Sequence, residues 1–172
     1  VLKKGLKGVL AEVEAAESKL DVGEDGALDK YYFYEAAKLV LNGMMTLAKR
    51  YAALARKMAK TEKNAARKKE LEEIAEVCEW VPANPARSFR EAMQTYWFVM
   101  LGIWLEAPAE LNAPPITFTK CLCPYYKQDK QAGQITEEEA IELIQFFILQ
   151  CNRLCDILPP HGHRFSQTRL GL

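Results

Sequence analysis

The sequence lacks an excess of charge of either sign and a long uninterrupted apolar run. It carries 23 basic and 23 acidic side chains among its 172 residues. This balance gives no electrostatic reason to expect a nucleic acid or an anionic membrane as partner. The apolar stretch from Trp97 to Leu105 lies between Glu91 and Glu106, well short of the roughly 18 residues of a membrane span. We therefore predict a protein with neither a nucleic-acid nor a membrane partner.

The ends of the sequence and its cysteines lead to two further expectations. It has no initiating Met and no basic-then-apolar leader, and it stops at Leu170-Gly171-Leu172 without a helix stop or polar tail. Its five cysteines are an odd number within mostly helical patterning, so we expect free thiols in a reducing compartment. The expectation is a cytoplasmic protein of which this chain is a piece.

Apolar residues recur at helical spacing, and few stretches alternate with the period of two that marks a half-buried strand. We predict a mainly α chain with helices over about Val1 to Leu20, Leu28 to Lys60, Ala65 to Trp80, Phe89 to Leu105 and Thr136 to Leu158. The fourth block is apolar nearly all round, which predicts burial on most sides. The second block carries a row of apolar residues that we predict to be core: Phe33, Ala37, Val40, Met44, Leu47, Tyr51, Leu54 and Met58.

Prolines and glycine interrupt the second half of the chain. The segment Pro108 to Cys123 contains three prolines and is predicted to be an irregular loop, and Pro124 leads into a charged turn around Gly133. The tail from Arg164 to Leu172 has no helical period, which favours a strand. As one domain or part of one, residues 1–172 divide into a helical region over about 1–107, a loop over 108–123, a helix over about 136–158 and a strand over 164–172.

The segment from Cys78 to Gln94 reads C-E-W-V-P-A-N-P-A-R-S-F-R-E-A-M-Q and continues through Thr95-Tyr96-Trp97-Phe98. Its two prolines, Pro82 and Pro85, forbid a helix through the turn. Ser88 followed three residues later by Glu91 is a capping box that predicts where the next helix begins. The residues by themselves indicate a rigid corner between two helices.

This spelling closely resembles the C-x-x-V-P-x-x-P-A-R-[ST]-F-x-E-A-x-Q-[ST]-[FY]-W-F segment of the pyruvate formate-lyase-like glycyl radical enzymes. Residues 124–140 likewise resemble the family's P-Y-Y-x-x-D-x-x-x-G-x-I-[ST]-x-E-E-A segment. Residues 50–52 and 69–75 are similar to its helical region, so the resemblance spans most of the chain in the family's order. It implies a ten-stranded α/β barrel of two half-barrels within a helical shell, to which this chain would contribute shell helices and a first approach to the barrel.

The resemblance also implies radical chemistry on a small organic substrate. In the family, a backbone glycyl radical within R-V-x-G-Y oxidises a hairpin cysteine to a thiyl radical, and a separate iron–sulfur S-adenosylmethionine activase installs the radical. Neither the glycine motif nor the cysteine hairpin context occurs here. The expectations are no catalytic residue, no bound cofactor and no activity in this piece alone, with the complete enzyme a homo-oligomer.

The segment from Pro114 to Cys123, called this loop below, departs from the family pattern. Many dehydratases and lyases of the family read S-P-G-R-F-D-Q-Y-L-Y there, whereas Thr117 and Thr119 replace the arginine and aspartate in this chain. The resemblance places the residues just before this loop near the substrate pocket, which makes Asn112 the leading substrate-binding candidate. Asn is also common in turns, which is the alternative for Asn112. Phe165 and Gln167 would share one face of the predicted strand, either towards the barrel interior or in ordinary strand packing.

Two further interpretations stay open. The first is a helical interaction domain that is derived from the family scaffold and has no chemistry. The second is a small zinc-stabilised helical protein, because thiol and imidazole ligands are present. These ligands lack the paired Cys-x-x-Cys spacing of common zinc sites and comprise Cys121, Cys123, Cys151, Cys155, His161 and His163.

Overall fold

The computed structural model describes residues 1–21, 23–106 and 118–154. Within these ranges the chain forms helices and no strand, which confirms the predicted mainly α character there. The predicted strand over 164–172 lies outside the described residues. The helices are α1 (Gly5–Glu17), α2 (Ala27–Thr61), α3 (Ala65–Trp80), α4 (Phe89–Glu106), α5 (Phe118–Gln131) and α6 (Glu137–Leu154).

The chain divides into two compact units, residues 1–86 and residues 87–172. In the first unit, α1 and α3 pack against α2. The side of α2 that becomes buried consists of alanines spaced four, three and four residues apart: Ala48, Ala52, Ala55 and Ala59. Because these side chains are small, neighbouring helices can approach the α2 backbone closely. In α3 the buried row is Leu71, Ala75 and Cys78.

Short connections and ion pairs hold the first unit in register. Asn64 begins α3 by accepting hydrogen bonds from the backbone N–H groups of Ala66 at 3.0 Å and Arg67 at 3.2 Å. The resulting three-residue link between α2 and α3 makes them a helical hairpin. Lys38 of α2 donates to Glu17 of α1 at 2.7 Å, which joins these helices.

The structure corrects the predicted core of α2. Phe33 is 67% exposed, Val40 50% and Leu54 51%, whereas the alanine row is at most 6% exposed. Within the described residues, the prediction that this row forms the core is therefore wrong. The physical reason is that helical periodicity shows that a row is apolar but does not choose which of two adjacent apolar rows meets its neighbours, and here the alanines allow the closer approach.

In the second unit, α4 packs against α5 and α6. The predicted burial of α4 is confirmed from Phe89 to Leu101 and ends at Ile103 and Leu105, which are 48% and 62% exposed. In α6 the buried side chains include Ala140 and Phe147, which are 3% and 5% exposed.

The prediction of irregular chain as far as Cys123 is wrong for Phe118 to Cys123, which form the first turns of α5, and Pro124 lies inside that helix. Proline removes its own backbone N–H but leaves the rest of the helix able to form. Phe118, Leu122 and Asp129 lie four and seven residues apart on one side of the helix. The spacing of these residues is stronger evidence for a helix than the prolines are evidence against one.

Among the residues that the structure describes, no helix is both long and apolar enough to cross a membrane.

Candidate functional site

The three residues predicted to contact substrate, Asn112, Phe165 and Gln167, lie outside the described residues. The structure does describe both helices that flank the segment with Asn112, since α4 ends at Glu106 and α5 begins at Phe118. The candidate site is therefore characterised through the contacts that hold these helices.

An aromatic cluster anchors the start of α5. The Phe118 ring stacks on Phe147 of α6 at a centroid distance of 5.0 Å and meets Tyr96 of α4 edge to face at 5.3 Å. Phe147 also makes edge contacts with Tyr96 at 5.8 Å and Trp97 at 6.1 Å. Such ring pairs add to the stabilisation from burial alone. The helices α4, α5 and α6 thus meet at Phe118, the residue that follows the segment carrying Asn112.

Asp129 connects the end of α5 to the beginning of α4. Its side chain is 3% exposed, and Oδ2 accepts a hydrogen bond from the backbone N–H of Phe89 at 2.7 Å. Phe89 is the first residue of α4, where backbone N–H groups have no partner within the helix and favour a negative charge. Oδ1 of Asp129 is buried without a hydrogen-bond partner among the described residues. Asp129 is therefore a helix cap supplied from 40 residues away along the chain.

The Asp129 backbone also holds the turn that follows α5. Its carbonyl oxygen accepts from the N–H of Gln134 at 2.8 Å, and Gly133 has a φ of +66°. That left-handed conformation favours glycine. A capping box then begins α6, because the Thr136 N–H donates to Glu139 Oε2 at 2.8 Å and the Glu139 N–H donates to Thr136 Oγ1 at 3.2 Å.

The capping box predicted at Ser88 forms in part. The Glu91 N–H donates to Ser88 Oγ at 3.2 Å, as expected. The Glu91 carboxylate, however, accepts from the backbone N–H of Arg87 at 2.7 Å and from the Arg87 guanidinium at 2.5 Å. This pairing raises the pKa of Arg87 and satisfies a carboxylate that is only 6% exposed.

The proline turn after α3 accepts backbone hydrogen bonds from the first turn of α1. The carbonyl oxygens of Pro82 and Ala83 accept from the N–H groups of Leu6 at 2.8 Å and Lys7 at 3.0 Å. Gly5 has a φ of +68°, and a Cβ there would lie 2.7 Å from the Cα of Asn84. Only glycine fits at this position. The most distinctive part of the sequence therefore has a structural role in the first unit, as its residues indicated.

Cys78 is a buried helix cysteine. It is 3% exposed, and burial raises the pKa of its thiol to about 11, so it stays protonated at neutral pH. Cys151 is only half-buried, and Cys155 lies outside the described residues.

Within the described ranges, no three side chains of His, Cys, Asp or Glu are grouped to hold a metal ion. Cys155, His161 and His163 fall outside those ranges, so the zinc hypothesis stays a prediction. Sequence reasoning missed the anchoring roles of Phe118 and Asp129. Their helical spacing with Leu122 was the signal that could have identified them.

Comparison with known proteins identifies the family of the chain. The model of the family described as pyruvate formate lyase-like matches residues 1–168. An isethionate sulfite-lyase from Oleidesulfovibrio alaskensis is 36% identical over 169 residues, covering 97% of this chain and 20% of that protein. A trans-4-hydroxy-L-proline dehydratase from Clostridioides difficile is 34% identical over 153 residues, covering 88% of this chain and 19% of that protein.

The structural comparison agrees. A solved structure concerned with 1,2-propanediol dehydration in Roseburia inulinivorans matches with a TM-score of 0.79 at 36% identity, covering 85% of this chain and 18% of that one. The chain spans about a fifth of the length of the curated relatives it matches. On the match over residues 1–168, supported by these similarities, the chain belongs to the pyruvate formate lyase-like family.

Proposed function

We propose that this chain is part of a larger glycyl radical enzyme, a lyase, dehydratase or decarboxylase that acts on a small organic molecule. The observation that carries the proposal is the family match over residues 1–168. Similar proteins include a sulfite-lyase and a dehydratase, each about five times as long as this chain. A chain that aligns with one fifth of such enzymes would supply one part of their fold.

The chemistry is hydrogen-atom transfer between carbon and sulfur. A glycyl radical elsewhere in the subunit would take the hydrogen atom of a cysteine thiol, and the thiyl radical would take one from a substrate carbon. Each transfer breaks one bond to hydrogen and forms another, so neither consumes an external oxidant. No R-V-x-G-Y segment occurs in this sequence. The chain alone would therefore be inactive, and the protonated, buried Cys78 would have no part in the transfer.

The described residues would serve as part of the helical shell around the barrel. Two features of the second unit support a positioning role near the substrate. Phe118 is anchored by Tyr96 and Phe147 directly after the segment with Asn112. Asp129 then ties the same helix to the start of α4. We propose Asn112 as a substrate contact held between these helices, with Phe165 and Gln167 as further contacts from a barrel strand.

Sequence identity does not distinguish between candidate substrates, because relatives that act on isethionate and on hydroxyproline are 36% and 34% identical to this chain. The segment before Pro124 carries more information. Thr117 and Thr119 stand where many dehydratases and lyases of the family have arginine and aspartate, so polar groups around this segment must be paired differently. We propose a substrate other than glycerol or a simple diol.

The complete protein, co-expressed with an iron–sulfur activase and purified without oxygen, tests this function. The expected result is a glycyl radical signal in electron paramagnetic resonance and turnover of isethionate, trans-4-hydroxy-L-proline or a related small molecule, with no efficient turnover of glycerol or 1,2-propanediol in the same panel. Efficient glycerol dehydration would refute the proposed substrate preference. Failure to form a radical with a competent activase would refute the function itself.

A variant separates substrate contact from radical formation. Asn112→Ala should lower kcat/KM by about tenfold or more, the effect of losing one or two hydrogen bonds to substrate, with an unchanged radical yield. Lys120→Ala, at an exposed side chain in the first turn of α5, is the control. Equal kcat/KM for Asn112→Ala and the parent enzyme would exclude Asn112 as a contact. Light scattering of the same preparation tests the proposed homo-oligomer. Fractionation of the cells that express the protein tests the proposed cytoplasmic location.

A further inference from the structure

We propose that the exposed apolar row of α2 is the surface through which this chain packs against the remaining polypeptide of its own subunit. The proposal rests on the proposed function, because it requires a larger enzyme around these helices. The row, called the α2 apolar row, consists of Phe33, Val40, Met44, Leu47, Leu54 and Met58. It differs from the alanine row, which is already buried within the first unit.

The α2 apolar row is continuous along the helix. Its members are spaced by three, four or seven residues, which keeps them on one side. From Phe33 to Met58 the row extends roughly 38 Å at the α-helical rise of about 1.5 Å per residue. Four members are 47% to 67% exposed, and Met44 and Leu47 are half-buried. Single exposed apolar side chains are ordinary on a protein surface, but a contiguous stripe of this length marks an interaction surface.

A second feature that supports an interaction surface is Gly43, which lies on the same side of α2. It lies between Val40 and Leu47, inside a 35-residue helix, where glycine is less favourable than alanine. No described atom lies within 4 Å of a Cβ built at Gly43. The absent side chain therefore leaves room that none of the described residues uses. Close approach of another element to the α2 backbone would explain a glycine here.

The occupant is identified by the size of the relatives and by the chemistry of the row. Relatives about five times the length of this chain have most of their polypeptide outside its span. The row itself contains no charge, as in a contact within one fold. Exposed Arg50 and Lys57 lie seven residues apart along one edge. The surface that covers the row would therefore be apolar with an acidic border.

Thiol labelling of the complete protein tests whether the row is covered. Leu54→Cys and Ala53→Cys place one new thiol on the row and one on a neighbouring exposed side of the same turn. In the native protein, we expect the thiol at position 54 to react with a maleimide at about one tenth of the rate at position 53, or more slowly still. In denaturant, both thiols should react at the same rate. Peptide mass spectrometry separates them from the five native cysteines. Equal native rates would overturn the proposal.

Substitution of Gly43 provides an independent test, because the melting temperature should rise if the row is exposed to solvent and fall if the row is covered. On a solvent-exposed helix, Gly43→Leu should raise the melting temperature because leucine is the better helix former. If the row is tightly covered, the same change should lower the melting temperature of the complete protein by about 3 °C or more. Gly43→Ala is the milder variant should the leucine variant fail to fold, and Ala53→Leu is the control. A higher melting temperature for both Gly43 variants would overturn the proposal.

The competing occupant is a second copy of the subunit. In that case, Leu54→Lys would convert the oligomer to monomers that remain folded, which light scattering and circular dichroism would detect, and this outcome would also overturn the proposal. If the row faces the same polypeptide, Leu54→Lys should lower the melting temperature with no change in oligomeric state. None of these measurements requires turnover or a radical, so they are decided separately from the proposed function.

Discussion

The two units of the chain bury different kinds of side chain where their helices meet. In residues 1–86, α2 buries alanines and exposes Phe33 and Leu54. In residues 87–172, aromatic rings fill the contact among three helices, with Phe147 5% exposed at its centre. The size of a side chain therefore does not decide its burial. Small residues are buried where helix backbones come close, and large residues are buried where three helices leave a space between them.

The largest effect should come from removing the ring at the centre of the second unit. Phe147→Ala should destabilise these helices by about 3–5 kcal/mol, because it leaves a cavity between Tyr96, Trp97 and Phe118. Phe146→Ala is the matched control, since the neighbouring Phe146 is 55% exposed. Hydrogen exchange of the α4 and α5 amides measures both variants. Similar protection in the two would mean that the ring cluster does not hold the unit together.

The first unit should be most sensitive where backbones approach closely rather than at a large side chain. Gly5→Ala should cost about 2–3 kcal/mol, because it combines a positive φ with overlap against Asn84. Gly26→Ala has a φ of +76° but no described atom within 4 Å of the new Cβ, so it should cost only about 1 kcal/mol. Hydrogen exchange of α1 distinguishes the two. An equal cost would show that the contact with the proline turn is unimportant.

A smaller effect is expected from the cap that joins α5 to α4. Asp129→Ala should destabilise the first turn of α4 by about 1–2 kcal/mol, because the N–H of Phe89 loses its acceptor. Asp129→Asn retains an acceptor oxygen and should recover most of this loss. Amide exchange at Phe89 and its neighbours is the measurement. If Asp129→Asn were as unstable as Asp129→Ala, charge rather than the hydrogen bond would be the important contribution.

The smallest expected effect is a pH dependence in the first unit. Burial raises the pKa of Cys78 to about 11, whereas a thiol in an unfolded chain titrates near 8.5. Between these values the unfolded state loses a proton that the folded state keeps, so stability is complete below about pH 8.5 and falls as the pH rises. We expect a loss of about 1 kcal/mol between pH 8.5 and 10 from this group.

Denaturant midpoints at the two pH values measure this slope. Cys78→Ala should reduce the slope, whereas Leu71→Ala, which truncates a side chain without a titratable group in the same buried row, should leave the slope unchanged. An identical slope in both variants would assign the alkaline loss to other groups.

The helices were predictable where local signals agreed. Ala65–Trp80 was predicted with its observed bounds, because a row of apolar residues at helical spacing ends before the prolines. The helix that begins at Phe118 was missed because the prolines were given more weight than the spacing of Leu122 and Asp129. The proposed substrate contacts remain predictions, since Asn112 and the tail residues lie outside the described part of the chain.

Local periodicity and capping residues were sufficient to define most helices and, through the spelling of residues 78–98, the family. Those signals act between neighbours along the chain, so they survive in the sequence. The folded arrangement alone selected the alanine row of α2 for burial and brought Asp129 to the first turn of α4. Both depend on which helices meet in space, and a one-dimensional pattern of apolar and polar residues allows more than one such pairing.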